Sequence, residues 1–307
     1  MKSHTKAILA ALFVSFLWST SWILIKKNIE DIPPLLFAGI RYMLASLILL
    51  PGLLKYKTAL RQISRKEWVT LFLFGLIYYT IAQGAQFITL KYMGAISFSL
   101  MLNFTTILVA IIGIYSLKEI PTWIQWSGIA VFVLGVLLYF IPLQDEKFTA
   151  IGLSMAFITI LANAIAGIQG RAINRTRKIP AYVVTTTSMT IGATLMLASG
   201  LLFEDMPTLS SSNWVALIWL AVVNTAFAFT IWSKTQQILT AVESSIINNT
   251  MLIQIAIMAW IFLHEPLSLQ DVFGLALVAV GALLTNWNGK ELKFHLRKSD
   301  IRNIEKN

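Results

Sequence analysis

Residues 117–138 read LKEIPTWIQWSGIAVFVLGVLL, and residues 263–284 read LHEPLSLQDVFGLALVAVGALL. The two stretches lie 146 residues apart and share seven of 22 positions. The shared residues include Glu119 and Glu265, and the glycine pairs Gly128/Gly135 and Gly274/Gly281. Apolar helices match by chance at Leu and Ala, so the Glu and the paired Gly carry the comparison. The same offset brings Pro34 onto Pro180, Trp68 onto Trp214, Ser99 onto Ser245 and Asn103 onto Asn249. The chain is an internal duplication.

What is duplicated follows from composition. Of 307 residues, 57% are hydrophobic and only 12% charged, with mean hydropathy +0.74. A soluble domain carries about 25% charged residues, and half that number cannot cover a globule of this size. A bilayer core needs about 20 apolar helical residues per crossing. Ten stretches meet that need: 7–25, 33–54, 68–90, 94–117, 123–141, 149–170, 181–203, 214–233, 242–263 and 269–287. Only Arg41, Glu243 and Asp271 are charged within them. The expected fold is an all-α integral membrane protein of ten transmembrane helices. Residues 1–141 form a first five-helix repeat, 142–287 a second, and 288–307 a basic cytoplasmic tail. Lys2 and Lys6 precede an apolar run too long for a signal core, so the first span is expected to stay.

Orientation follows from Lys and Arg. With the N-terminus inside, nineteen fall on the cytoplasmic side and four outside. That asymmetry places both termini in the cytoplasm of a multi-pass cell-membrane protein. The net charge of +10 is thereby explained by topology, and nucleic acid is not expected as a partner. The expected partners are a small-molecule solute and the lipid bilayer; homo-oligomerisation stays open. Five spans per repeat force the second copy to enter the membrane from the opposite side. Inverted repeats are typical of secondary transporters, whose solute sites lie near the midplane where the halves meet.

Enzymatic chemistry finds no purchase. There is no cysteine, so no thiolate nucleophile, cluster or disulfide. His4, His264 and His295 lack metal-ligand spacing. No GxxxxGK loop occurs, so ATP is not the direct energy source. No catalytic residue, metal or cofactor is expected. Glu119 and Glu265, paired by the repeat, fall on opposite sides of the membrane and cannot act as an acid/base couple. With Pro121 and Pro266 beside them, they read as helix-start residues. The glycine pairs recur every two turns and fit close helix packing.

Polar side chains inside a membrane are costly and face protein or a watery cavity. Tyr79, Gln83 and Gln86 stand at i, i+4 and i+7 on the third span, a stripe suited to a cavity wall. Interhelical bonding explains such amides equally well. Asn103 and Asn249 lie nine and seven residues into their spans, about 13 and 10 Å deep, and serve either a shared site or a shared packing contact. Asn248 is expected to point elsewhere on the helix. Trp18 sits mid-span with Ser15, Ser19 and Trp22 on its face, as solute contact or core aromatic. Asn163, Gly167 and Gly170 form a matching face on the sixth span. Asn224 and Trp232 are weaker candidates. Lys26 and Asp271 lie at helix ends and can snorkel. Arg41 is too deep for that and needs carbonyls, an acid or an anionic solute group as partner. Glu243 is either a coupling carboxyl or a first-turn acid at a helix N-terminus.

The chain resembles the EamA-type carriers of the drug/metabolite transporter superfamily. The resemblance rests on Trp18-Ser19-Thr20-Ser21 with Lys26, on Pro34 with Arg41, and on the twin motifs quoted above. It spans about residues 7–287 and implies a ten-helix, two-repeat carrier that exports or exchanges small metabolites such as amino acids. Many members carry a proline in the fourth and ninth spans; this chain has none in 97–117 or 242–263. Uptake by the same fold, or a non-transporting role such as a lipid scramblase or sensor, remains the alternative.

Overall fold

The structure, a computed structural model, describes residues 3–28, 32–93, 98, 101–117, 121–140, 149–263 and 268–285. Lys118, Glu119, His264, Glu265 and the basic tail lie outside these residues, as do the side chains of Lys26 and Asp271. Every element among the described residues is helical. The helical runs are α1 (Ser3–Asn28), α2 (Pro34–Arg61), α3 (Arg65–Tyr92), α4 (Phe104–Leu117), α5 (Trp123–Phe140), α6 (Ala150–Arg175), α7 (Ala181–Phe203), α8 (Ser211–Thr235), α9 (Ala241–Phe262) and α10 (Leu269–Thr285). Seven are long and apolar enough to cross a membrane; α4, α5 and α10 give shorter apolar runs.

Helix starts repeat along with the spans. Pro33 and Pro180 occupy the N-caps of α2 and α7, where the missing N–H costs nothing. Ser64 with Glu67 closes a capping box on α3, and Ser210 with Asn213 closes one on α8, 146 residues on. The orphan N–H groups at the start of α2 find acceptors in the other half. Leu35 and Leu36 donate to the Glu204 carboxylate at 3.1 and 2.7 Å.

Packing follows the duplication as well. Each of α2, α4 and α5 packs against its own repeat counterpart, α7, α9 and α10. The remaining helices exchange partners: α1 packs on α8 and α9, α6 on α3 and α4. The glycine pairs form the seam between α5 and α10. A methyl group at Gly135 would meet Val278 N at 2.6 Å, and one at Gly281 would meet Phe132 N at 2.5 Å. Only glycine allows so close a backbone approach.

Two departures from regular α-helix also occur in pairs. Gly75–Ala82 of α3 and Val222–Phe227 of α8 are π-helical. The fourth and ninth spans are each interrupted within their length. Asn103 lies in a turn ahead of Phe104, and Thr250 interrupts α9 after Asn249. Neither interruption has a proline within 97–117 or 242–263.

Candidate functional site

The interruptions lie beside a partly open cavity. Trp18, Arg41, Gln83, Gln86, Asn103, Asn163 and Asn249 all line it. The structure thus brings together seven of the candidates on six different helices. Its deep end is aromatic. Trp18 lies 4.9 Å from Phe229 and 5.1 Å from Trp232, and Tyr78 lies 5.5 Å from Phe229. The wall also includes Trp22, Ile25, Gln86, Leu102 and Ile255, the first three in the C-terminal halves of α1 and α3.

Tyr79 requires a correction. It is fully buried, points into the core cluster with Phe74 and Met189, and does not line the cavity. The neighbouring Tyr78 does. The i, i+4, i+7 stripe assumed a regular α-helix through 79–86. A π-helix bonds i to i+5 and inserts one residue, so the face of Gln83 continues five residues back, at Tyr78. Asn248 is a second correction, since it lines the cavity beside Asn249. The break at Thr250 lets consecutive residues present themselves to one space.

Asn249 makes a packing contact between the halves and also faces the cavity. Its Nδ2 donates to Thr106 Oγ1 at 2.6 Å and to the Asn103 carbonyl at 3.4 Å, while both asparagines line the cavity. An amide of one half thereby ties off the broken helix of the other. Thr106 Oγ1 also bonds Ser245 Oγ at 3.0 Å.

The π segments hold two further anchors. Asn224 is buried on α8; its Nδ2 donates to the Leu17 carbonyl and to Thr20 Oγ1 at 2.9 Å. Trp18 Nε1 donates to the Asn224 carbonyl at 3.0 Å, so Trp18 is fixed by a hydrogen bond as well as by rings. Thr225 Oγ1 donates to the Leu220 carbonyl five residues back, at 2.8 Å. The same oxygen accepts from Arg41 Nε at 2.8 Å. Arg41 is buried, and its guanidinium carbon lies 5.6 Å from the Tyr42 ring centre.

Glu243 stands outside the cavity lining. It is buried in the first turn of α9 as the acid of a capping box, accepting from the Thr240 N–H at 2.7 Å. Its other oxygen lies 3.1 Å from His4 Nε2 on α1. Arg175 on α6 donates to the Leu117 carbonyl at the end of α4, at 3.0 Å. The His4 contact lies at the end of the bundle where α1 begins. Among the described residues no cluster of His, Asp or Glu could hold a metal ion.

Membrane-length apolar helices duplicated as two repeats and interrupted beside a cavity with polar lining are the architecture of a multi-pass membrane transporter. The profile of the EamA-like transporter family matches the chain twice, over residues 5–141 and 150–287, and the chain belongs to that family. Among its relatives are two uncharacterized transporters of Bacillus subtilis (strain 168). YvbV is 27% identical, over 95% of this chain and 94% of its own length. YoaV is 22% identical, over 92% and 97%. The S-adenosylmethionine/S-adenosylhomocysteine transporter of Chlamydia muridarum is 20% identical, over 91% of each. A solved crystal structure superposes with a TM-score of 0.75 at 18% identity, over 91% of this chain and 96% of that one, which shows a shared fold.

Proposed function

We propose that the protein is a secondary carrier that moves a small organic metabolite through this cavity by alternating access, in the direction of export. One observation carries the reading. Four wall positions of the first repeat, shifted by 146 residues, land outside the cavity lining, while four other repeat-related pairs line it from both halves. Trp18, Trp22, Arg41 and Tyr78 correspond to Ala164, Ile168, Thr187 and Asn224, all buried. Ala164 and Ile168 close against Val109 in one apolar cluster. The same backbone design is therefore open toward one face and closed toward the other. A movement that exchanges the two arrangements would present the cavity to the opposite side. On the Lys/Arg distribution the open face is extracellular and both termini are cytoplasmic. Glu243, with His4, serves the closed side.

The test is site-directed labelling in liposomes that support flux. Ser21→Cys should react with an impermeant thiol reagent from the outer face at rest. Ile168→Cys should react from the inner face, and faster during turnover. Steady flux with Ile168→Cys protected throughout would refute alternating access. The scramblase alternative predicts lipid flip without solute flux in the same vesicles.

A further inference from the structure

We infer that the solute carries an anionic group, a carboxylate in the first instance, and that Arg41 is its seat. The inference rests on the carrier reading above and narrows the class of solute. A guanidinium has five N–H donors in a planar fork. At Arg41 the Nε donor is taken by Thr225, which fixes the plane of the group. Among the described residues the other four donors meet no hydrogen-bond acceptor and no acid, while Arg41 forms part of the cavity wall. Among the described residues no Asp or Glu lines that cavity. The remaining polar wall is made of neutral amides and hydroxyls, and the rest is aromatic and aliphatic. A charge in low dielectric without a counter-ion is costly, and intramembrane charges are otherwise paired or functional. An arriving carboxylate would supply the missing acceptor in the bidentate geometry that a guanidinium favours.

The arrangement also fixes the rest of the solute. The floor of Trp18, Tyr78 and Phe229 suits a flat or apolar moiety. The solute class is a small organic acid or zwitterion with an apolar end. Among the described wall residues Arg41 is the only charge, and a bound monoanion would neutralise it.

The probes are matched pairs that differ only in the anion: L-phenylalanine and L-phenylalaninamide, and phenylacetate and phenylacetamide. Phenyl phosphate and benzylammonium are added to separate carboxylate, phosphate and cation. Binding to the purified full chain is read by calorimetry and by tryptophan fluorescence, and flux by liposome assay. Each acid should bind about tenfold or more tightly than its amide, as expected for a charge-assisted bond. In Arg41→Gln the acid and the amide should become equal, whereas Arg41→Lys should retain part of the preference. Preference for phenyl phosphate over both acids would overturn the carboxylate. Equal binding of acids and amides by the native chain would overturn the anion seat, and that comparison does not depend on any variant folding. Competition by phosphatidylglycerol and by no soluble acid would overturn it in favour of a lipid headgroup. Acid-selective binding without flux would leave the seat standing and sink the carrier reading instead.

Discussion

Replacing Gly135 by alanine sets two effects of opposite sign against each other. Within a helix, alanine is favoured over glycine by up to about 1 kcal/mol. At the seam of α5 and α10 the added methyl would lie 2.6 Å from Val278 N, and 2.7 Å from both Gly274 O and Leu277 Cβ. Carbon atoms pack at about 3.5 Å, so the two helices must separate by roughly 0.8 Å, enough to forfeit a quarter to a half of each contact well along the seam. Two of the three obstacles are backbone and cannot rotate away. Overpacking of this kind typically costs about 1–3 kcal/mol, which outweighs the propensity gain. Gly135→Ala should therefore lower the melting temperature in detergent by several degrees, about 2–4 °C per kcal/mol for a chain somewhat smaller than this one. Gly113→Ala is the internal control, because its methyl would meet Ile168 Cδ1 at an ordinary 3.6 Å. It should be neutral or stabilising. Equal melting shifts for the two substitutions would refute the close-approach argument.

Further outcomes are expected at the wall and at the closed face. Tyr78→Leu should weaken solute binding at near-native stability, while Tyr79→Leu should lower stability by about 2–5 kcal/mol for a fully buried large side chain and spare affinity in the fraction that folds; parallel binding and melting curves separate the two. Asn249→Leu removes the donor to Thr106 and a polar group of the wall together, so both affinity and stability should fall, the latter by about 1–2 kcal/mol at most. Glu243→Gln keeps an acceptor for the Thr240 N–H, whereas Glu243→Leu loses the cap at a cost of about 0.5–2 kcal/mol. Both lose the acid facing His4, so a cysteine at Ser244 should label faster from the closed side in each; unchanged labelling would deny that contact a part in closure.

The duplication, the seam glycines and the helical class were legible because each is written in side-chain type at a fixed spacing. A glycine pair every seven residues reads the same in a string as in a helix. Arg41, the asparagine pair and the amide stripe were legible because polarity inside a membrane is rare enough to stand out. Helix geometry was not. Nothing in GLIYYTIA announces a π-helix, since backbone bonding is decided by how α3 crosses α7. There Gly75 and Gly192 let the chains approach until a methyl at Gly192 would meet Gly75 O at 2.4 Å. That single inserted residue exchanged Tyr79 for Tyr78. The breaks at Asn103 and Thr250 were hidden for a similar reason. Without proline, a broken membrane helix needs side chains to take up the freed backbone groups, and Asn249 does so from the far half of the chain.

The repeat also shows what is shared between the halves and what is not. Four pairs of repeat-related positions line the cavity together: Gln83 with Phe229, Leu102 with Asn248, Asn103 with Asn249, and Thr105 with Met251. Position is conserved through the duplication at each pair, and side-chain chemistry at only one. The unpaired wall residues differ more sharply, with Arg41 facing Thr187 across the offset and Trp18 facing Ala164. Backbone symmetry is what an exchange of two states requires, because each half must be able to adopt the other's arrangement. A symmetric lining would offer the solute the same groups from both sides and could not orient it. One guanidinium, one tryptophan floor and a divided set of amides give the cavity a polar end and an apolar end. The duplicated backbone supplies the movement, and the residues that escaped duplication supply the selectivity.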